Sequence, residues 1–295
     1  MSNDSYQLID SGNFQKLEQV GPYRFVRPAA QAVWRPRLSA QEWKRVDATF
    51  TRFSGGDGKW QVLNPNMPAT WQIKSGPVAF QIKMTDFGHL GIFPEQDTNW
   101  LRLHKLVKHQ IQKQANENPG KTPEFSVLNL FAYTGGSTLA CATAGAKVVH
   151  VDASKTSVAW ARNNAEISGH SALPIRWIIE DVKKFVGREV KRGSKYHGII
   201  LDPPSYGRGP SGEAWQIETD LFDHLTNLKQ ILADDFSFIL LSAHSTGYTP
   251  MALTNLVESV ADLKTGTVIA EEMVIKEVES SRLLPSGACC FFSRN

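Results

Sequence analysis

The sequence predicts an α/β fold with a wound, mostly parallel sheet, preceded by a small β-rich domain. Three observations carry that reading. From Phe125 onward, short apolar runs alternate strictly with amphipathic helical stretches. The first strand-to-helix bend in that region carries the pair Gly135-Gly136. Residues 1–90 have another texture, in which brief β-like runs are broken by Gly, Pro and Asn.

Taken in order, the N-terminal runs are Tyr23–Val26, Trp60–Leu63, Thr70–Ile73 and Val78–Lys83. Between them stand Gly21-Pro22, Ser54-Gly55-Gly56-Asp57-Gly58, Asn64-Pro65-Asn66 and Gly76-Pro77, which suit turns of an antiparallel meander. Trp34, Trp43, Trp60, Trp71 and Trp100 concentrate aromatic surface here, most of it expected in the core and one or two rings free to stack. A helix is predicted over Thr98–Gln114, with Leu101, Leu103, Leu106, Val107 and Ile111 as its apolar stripe. The polar stretch 116–123 connects it to the alternating region, so the expected units are 1–90, a linking segment 91–124 and a large domain 125–295.

In that domain the predicted pairs are strand Ser126–Phe131 with helix Ser137–Ala144, then Lys147–Val151 with Thr156–Ile167. Ile175–Ile179 with Val182–Lys191, Gly198–Leu201 with Thr219–Leu232, and Phe236–Ser242 with Met251–Leu263 follow. Two β runs, Thr267–Val278 and Ala288–Ser293, close the chain. Repeated βα units demand a parallel sheet with helices on both faces.

The 295 residues are 41% hydrophobic and 21% charged, with a net charge of +3. No run approaches the roughly 18 apolar residues of a membrane span, and the first residues lack a basic-then-apolar export pattern. Cys141, Cys289 and Cys290 have neither metal-ligand spacing nor an even count, so a reducing cytoplasm and no metal are expected.

The first βα turn, Asn129 to Gly136, brings backbone close to a ligand beside a helix N-terminus. The nucleotide fingerprint GxGxxG and a P-loop lysine are both absent, which disfavours a nicotinamide oxidoreductase. Strand two ends at Asp152, where an acid can hold ribose hydroxyls, and strand three ends at Glu180-Asp181, where one can hold an adenine amino group. Singly these are a turn, a helix cap and solvated acids. Together they occupy the C-terminal strand ends where open α/β sheets bind ligands. Strand four ends Asp202-Pro203-Pro204-Ser205-Tyr206. The prolines stop the strand and remove two N–H donors, leaving carbonyls, a carboxylate and an aromatic plate. Such a set can accept a planar amino group and stack its ring; the plain alternative is a strand-ending turn with a packed Tyr206.

At this point the chain resembles a known family. Residues 127–169, with the Phe131-Ala132-Tyr133-Thr134-Gly135-Gly136 turn, the acid Asp152 and the later Asp-Pro-Pro-x-aromatic, are similar to bacterial 23S rRNA methyltransferases that make 5-methylcytosine and their guanine-N7 relatives. Gly91-Ile92-Phe93-Pro94-Glu95-Gln96-Asp97 echoes their upstream Gly-x-Phe-Leu-Asp-Gln-Arg, with Asp97 in place of the Arg. The element order also resembles the Rossmann-like class I methyltransferase fold, a seven-stranded sheet with a terminal antiparallel strand. The resemblance implies S-adenosylmethionine as cofactor. Thr134, Gly135 and Gly136 would surround its methionine part, Asp152 its ribose and Asp181 its adenine, with Phe131, Ala153 and Val182 completing the pocket. It places Asp202 near both the sulfonium and the acceptor.

The chemistry departs from the 5-methylcytosine enzymes at one position. Methylating cytosine C5 needs a Cys thiolate that adds to C6, and the family keeps it just after strand five. Here that segment reads Ser242-Ala243-His244, so transfer to a nitrogen is expected instead. Asp202 and the Pro203 carbonyl would orient the acceptor, with Pro204, Tyr206, Arg208 and His244 around it. His244 is read either as proton acceptor or as a structural hydrogen-bonding residue. Six basic residues from Lys183 to Lys195 suit either RNA phosphates or a solvated helix face, and Gly207–Gly212 is expected as a flexible loop over the substrate. The leading function is thus methylation of RNA, ribosomal RNA in particular. Methylation of a protein or small molecule, or RNA binding without catalysis, stays open, as does the oligomeric state.

Overall fold

The structure, a computed structural model, describes residues 4–53 and 57–294, and the chain divides into two units. Ser54, Gly55 and Gly56 of the expected glycine break lie outside the described residues. The first unit is Met1–Asp97 together with Val274–Ser286. It holds a five-stranded sheet of β1 (Tyr6–Gly12), β2 (Gln15–Val20), β3 (Tyr23–Pro28), β4 (Ala48–Arg52) and β5 (Gly58–Val62), in that order. The short helix α1 (Ala40–Trp43) precedes β4, and β6 (Trp71–Ser75) pairs with β7 (Val78–Ile82) as a separate hairpin. All pairings in the five-stranded sheet are antiparallel except β3–β4.

The sequence pattern marks β3, β5, β6 and β7 but not β1, β2 and β4. For β1 and β2 the reason is polar residues at buried positions, Asp10, Ser11 and Glu18, which erase the apolar alternation. Glu18 is fully buried and accepts from Arg27 Nε at 2.6 Å, Arg27 Nη2 at 2.8 Å and the Tyr6 hydroxyl at 2.7 Å, with Lys16 3.0 Å away. Burial alone would raise the Glu18 carboxyl; the two cations and these hydrogen bonds outweigh it and hold it at about 2. The indole N–H groups of Trp34, Trp43, Trp60 and Trp71 donate to acceptors within the unit, so these four rings are structural. Residues 274–286, which the sequence reading keeps with the C-terminal domain, pack here. Ile275 and Leu284 share a small core with Leu8, Ala29 and Ala32, and Glu277 accepts from Ser11 Oγ at 2.6 Å.

The second unit is Thr98–Met273 with Gly287–Asn295. Helix α2 (Asp97–Glu117) leads into β8 (Ser126–Leu130), α3 (Gly136–Thr143), β9 (Lys147–Asp152), α4 (Lys155–Ile167), β10 (Ile175–Ile179), α5 (Val182–Arg192) and β11 (Gly198–Leu201). The strand pair β12 (Tyr206–Arg208) and β13 (Ala214–Gln216) comes next. It is followed by α6 (Ile217–Lys229), β14 (Phe238–Ala243), α7 (Pro250–Glu258), β15 (Gly266–Lys276) and β16 (Leu283–Arg294). The sheet order is β10-β9-β8-β11-β14-β16-β15, parallel from β10 to β14 and antiparallel between β14 and β16. This is the seven-stranded class I methyltransferase sheet that the sequence predicts. Period-two alternation sorts its side chains: Leu128, Leu130, Ile199, Leu201, Ile239 and Leu241 enter one core, and Val127, Ile200, Phe238 and Leu240 the other. Strand order reverses between β8 and β11, and a crevice at their C-terminal ends is the natural ligand position.

Two expectations need correction. Helix α7 stops at Glu258 rather than Leu263, and a separate 3-10 turn, capped by the Asp262 side chain, covers Leu263–Thr265. Gly207–Gly212 is not a free loop, because Tyr206–Arg208 pairs with Ala214–Gln216. Among the described residues, no helix is long and apolar enough to cross a membrane.

The Glu18 cluster makes the first unit acid-sensitive. A carboxyl held below its unfolded value of 4.5 contributes stability above that value, and the contribution is lost as pH falls from about 4.5 to about 2. Glu18→Gln strands Arg27 beside a neutral amide and should destabilise by about 3–5 kcal/mol at pH 7. Its melting temperature should also vary less than wild type over that acid window, as read by calorimetry.

Candidate active site

Backbone conformation shapes the first half of the site. After β8 the chain passes through left-handed conformations at Phe131 (φ 56°), Tyr133 (φ 47°) and Gly135 (φ 88°). The two non-glycine positions each cost roughly 1–2 kcal/mol, so neighbouring contacts must impose them. One such contact is Asp152 at the end of β9. Its Oδ2 accepts the Tyr133 N–H at 2.8 Å and its Oδ1 the Ser154 N–H at 2.8 Å. Burial raises the Asp152 carboxyl while these two N–H groups pull it back down. Behind the turn, Asn164 Nδ2 donates to the Thr134 carbonyl at 2.9 Å, and Asn129 Nδ2 donates to Thr138 Oγ1, which also meets His150 Nδ1. Burial, helped by Arg162, holds His150 down at about 3, so its ring is neutral.

Gly135 caps α3 with no side-chain hydrogen bond, leaving the helix's first N–H groups to a ligand. A Cβ on Gly136 would lie 2.4 Å from the Trp100 ring, so that indole packs directly on the turn and belongs to the core. The donor set therefore fits a zwitterionic amino-acid moiety beside a ribose: free N–H groups for a carboxylate, and Asp152 lone pairs for hydroxyls. Ala153 follows Asp152 at a half-buried position. Asp181 is buried and caps α5 by accepting the Lys184 N–H at 3.0 Å, with Val182 as the first helical residue. Glu180 is committed elsewhere, gripped by both terminal nitrogens of Arg188.

The second half lies on β11 and β14. Asp202 follows β11, and its Oδ1 is 3.5 Å from Nε2 of His244, which follows β14. The Ser205 and Ser245 hydroxyls meet at 2.6 Å and tie the two strand-end loops together. Gly287 on β16 leaves room for this arrangement, since a Cβ there would lie 3.0 Å from His244 Nδ1. The carbonyls after β11 are less available than the sequence suggests. Pro204 accepts from Trp215 Nε1 at 2.9 Å, and Ser205 accepts from the Ile217 N–H at 3.0 Å. Tyr206 is half exposed, and the Arg208 guanidinium stands 5.9 Å from its ring centroid.

Trp215, which sequence reasoning missed, organises this region. It is buried, with its ring 4.7 Å from Phe131 and 5.6 Å from His224. The basic run of α5 is largely spent here too: Lys183 donates to the Ala214 carbonyl and pairs with Asp220, and Lys184 pairs with Glu213. With Arg188 on Glu180 and Arg192 on Glu189, these charges fasten the β12–β13 hairpin and the helix itself. Three cysteines are buried within the second unit, and burial raises each thiol, Cys289 to about 11. Ala243 is buried at the end of β14. No group of three or more His, Cys, Asp or Glu among the described residues is placed to hold a metal ion.

His224 gives a test of this packing. Both ring nitrogens lack a hydrogen-bond partner among the described residues, and burial, with Lys183 adding to it, holds the imidazole at about 4. The unfolded chain binds a proton there below about pH 6.5 while the folded chain does not, so stability falls as pH drops from 6.5 to 4. His224→Leu should shrink the loss between pH 7 and pH 4 by about 2–3 kcal/mol, measured by urea unfolding at each pH.

Comparison with known proteins bears on the same region. The family model described as S-adenosylmethionine-dependent methyltransferase matches residues 52–217. A crystal structure of the SAM-dependent methyltransferase from Agrobacterium tumefaciens is 38% identical, covers 99% of this chain and 91% of its own, and superposes with a TM-score of 0.89. Ribosomal RNA large subunit methyltransferase K/L of Vibrio cholerae is 28% identical over 171 residues, 56% of this chain and 23% of the relative. Ribosomal RNA large subunit methyltransferase I of Aeromonas salmonicida is 42% identical over 105 residues, 35% of this chain and 26% of the relative. The chain thus spans about a quarter of the length of these curated relatives. The strand-order reversal between β8 and β11, a family match over more than half the chain and a near full-length structural relative agree: the chain belongs to the S-adenosylmethionine-dependent methyltransferases.

Proposed function

We propose that this methyltransferase modifies RNA, ribosomal RNA foremost, at a nitrogen of a base. The observation that carries the choice of atom is the state of the thiols. A C5 mechanism needs a thiolate beside the acceptor. Ala243 occupies the strand-five position, and the three cysteines are buried with thiols raised by that burial. The choice of RNA rests on the relatives named for ribosomal RNA and on the exposed Tyr206–Arg208 pair, which suits a base and its phosphate.

S-adenosylmethionine, when bound, supplies an electrophilic methyl group on a sulfonium. The chain's residues do the rest. The α3 N-terminus and the turn Phe131 to Gly136 hold the methionine part, Asp152 and Ala153 the ribose, and Asp181 with the Val182 N–H the adenine. Asp202 and the Pro203 carbonyl accept hydrogen bonds from the acceptor's N–H groups and point its lone pair at the methyl. This is catalysis by alignment, since nitrogen is already a nucleophile. The proton released from nitrogen passes to Asp202, and His244, 3.5 Å away, either receives it or holds that carboxylate in place. Pro204 keeps the Asp202 loop rigid, and Tyr206 stacks on the base.

Three outcomes test this reading. Asp152→Asn should weaken S-adenosylmethionine binding by more than tenfold in calorimetry, because the amide presents only one acceptor to the Tyr133 and Ser154 N–H groups and the turn loosens as well. Asp202→Ala should abolish turnover with a much smaller change in cofactor affinity, whereas Tyr206→Ala should weaken acceptor binding by roughly 1–3 kcal/mol. Replacing Cys141, Cys289 and Cys290 by Ala should leave the single-turnover rate intact; a covalent adduct with 5-fluorocytosine RNA would falsify nitrogen transfer. Labelled methyl groups appearing in protein or small molecules, and none in RNA, would overturn the choice of substrate.

A further inference from the structure

The first unit contains a cavity of about 150 Å³ that the methyl-transfer chemistry does not use. That is close to the volume that admits one six-membered ring. Phe50 and Phe93 supply aromatic walls, with His89 set edge-on to Phe93 at 5.3 Å between centroids. Arg27, Lys16 and Glu95 supply a polar floor, and all three are largely shielded from solvent. The floor is built rather than accidental: Glu18 fixes Arg27 through two of its nitrogens, and Arg27 Nη1 donates to the Gly88 carbonyl at 2.8 Å. Buried ion pairs contribute little net stability compared with apolar packing, so a charged floor under an aromatic cavity points to a ligand that needs both.

The rim says which ligand. Arg52 is exposed on β4, and its Nη2 reaches the Phe87 carbonyl at 3.4 Å. Phe87 and Phe53, the residue following Arg52, are both more than half exposed. An exposed cation in the neighbourhood of exposed aromatic residues suits single-stranded nucleic acid, which such surfaces hold by stacking bases and pairing phosphates. Aromatic walls suit the flat face of a nucleobase, and the cationic floor suits its carbonyl edge.

We propose that the first unit grips a single-stranded stretch of the acceptor RNA, seating one pyrimidine base in this cavity with Arg52 on an adjoining phosphate. The inference rests on RNA as substrate, and it adds a second contact site remote in sequence from Asp202. The cavity's volume matches a single six-membered ring, so a pyrimidine is the base assigned to it.

The test is fluorescence anisotropy with ten-residue oligocytidylate, oligouridylate and oligoadenylate, alongside calorimetry with S-adenosylhomocysteine. Wild-type protein should bind the pyrimidine strands at least about tenfold more tightly than oligoadenylate. Arg52→Glu, which is fully at the surface, and Phe93→Ala should each lose about tenfold in pyrimidine binding. Both should bind S-adenosylhomocysteine as wild type does, and excess S-adenosylhomocysteine should not displace the oligonucleotide. Unchanged affinity in Arg52→Glu, or equal binding of oligoadenylate, would overturn the cavity assignment even if the enzyme methylates RNA. Pyrimidine binding lost in both variants, in an enzyme that transfers no methyl group to RNA, would uphold the cavity and reject the substrate reading.

Discussion

The second unit depends on one carboxylate. Asp152 accepts the N–H groups of Tyr133 and Ser154 at once, and so joins the turn after β8 to the turn after β9. That bridge holds Tyr133 in its left-handed backbone conformation. Everything the crevice offers follows from that clamp. Gly135 reaches its position to leave α3 uncapped, Phe131 turns its ring onto Trp215, and Thr134 presents its carbonyl to Asn164. The two N–H groups fall on different oxygens of Asp152, so each oxygen keeps further acceptor capacity.

Trp215 performs the matching task on the other side of the crevice. Its indole N–H takes the Pro204 carbonyl, its ring fills the space between Phe131 and His224, and its strand pairs with Tyr206–Arg208. The two halves of the site therefore meet through the Phe131–Trp215 contact as well as through the sheet. Lys183 and Lys184 finish the job by fastening the hairpin from α5. Charges of α5 that could have served a polyanion are instead engaged with acids of the same unit.

Much of this was legible in the sequence because it obeys simple periodicities. Short apolar runs alternating with helical stretches from Ser126 to Ala243 mark all five parallel strands, and the acids at their ends stand out against those runs. Asp202-Pro203-Pro204 is visible because prolines end strands. What stayed hidden has physical causes. Strands β1 and β2 carry Asp10, Lys16 and Glu18 at sheltered positions, so their pattern reads as polar loop until the ion pairs, with Arg27 of β3 among them, are seen. The hairpin after Tyr206 has only three residues per strand, too few for a period-two signal, and its anchors come from α5. Asn164, Trp215 and His224 lie on helices or strands where an Asn, a Trp or a His looks ordinary, and only three-dimensional contact reveals their work. By sequence alone Gly287 reads as a plain strand glycine; its importance lies in the imidazole it makes room for.

The return of residues 274–286 to the first unit has a consequence for the order of events on the ribosome. Leu8 pairs with Glu277, and Ile275 and Leu284 complete the core around Leu8, Ala29 and Ala32. The N-terminal sheet is therefore synthesised long before its last core residues exist. At ordinary translation speeds of roughly 5–20 residues per second, the interval between Asp97 and Val274 is about 10–35 s. During that time the edge of β1, with Ser11 and Leu8, waits uncovered while the whole cofactor-binding sheet is made. Nascent chains should thus gain the fold of the second unit and the closure of the first nearly together, as the final strand pair emerges.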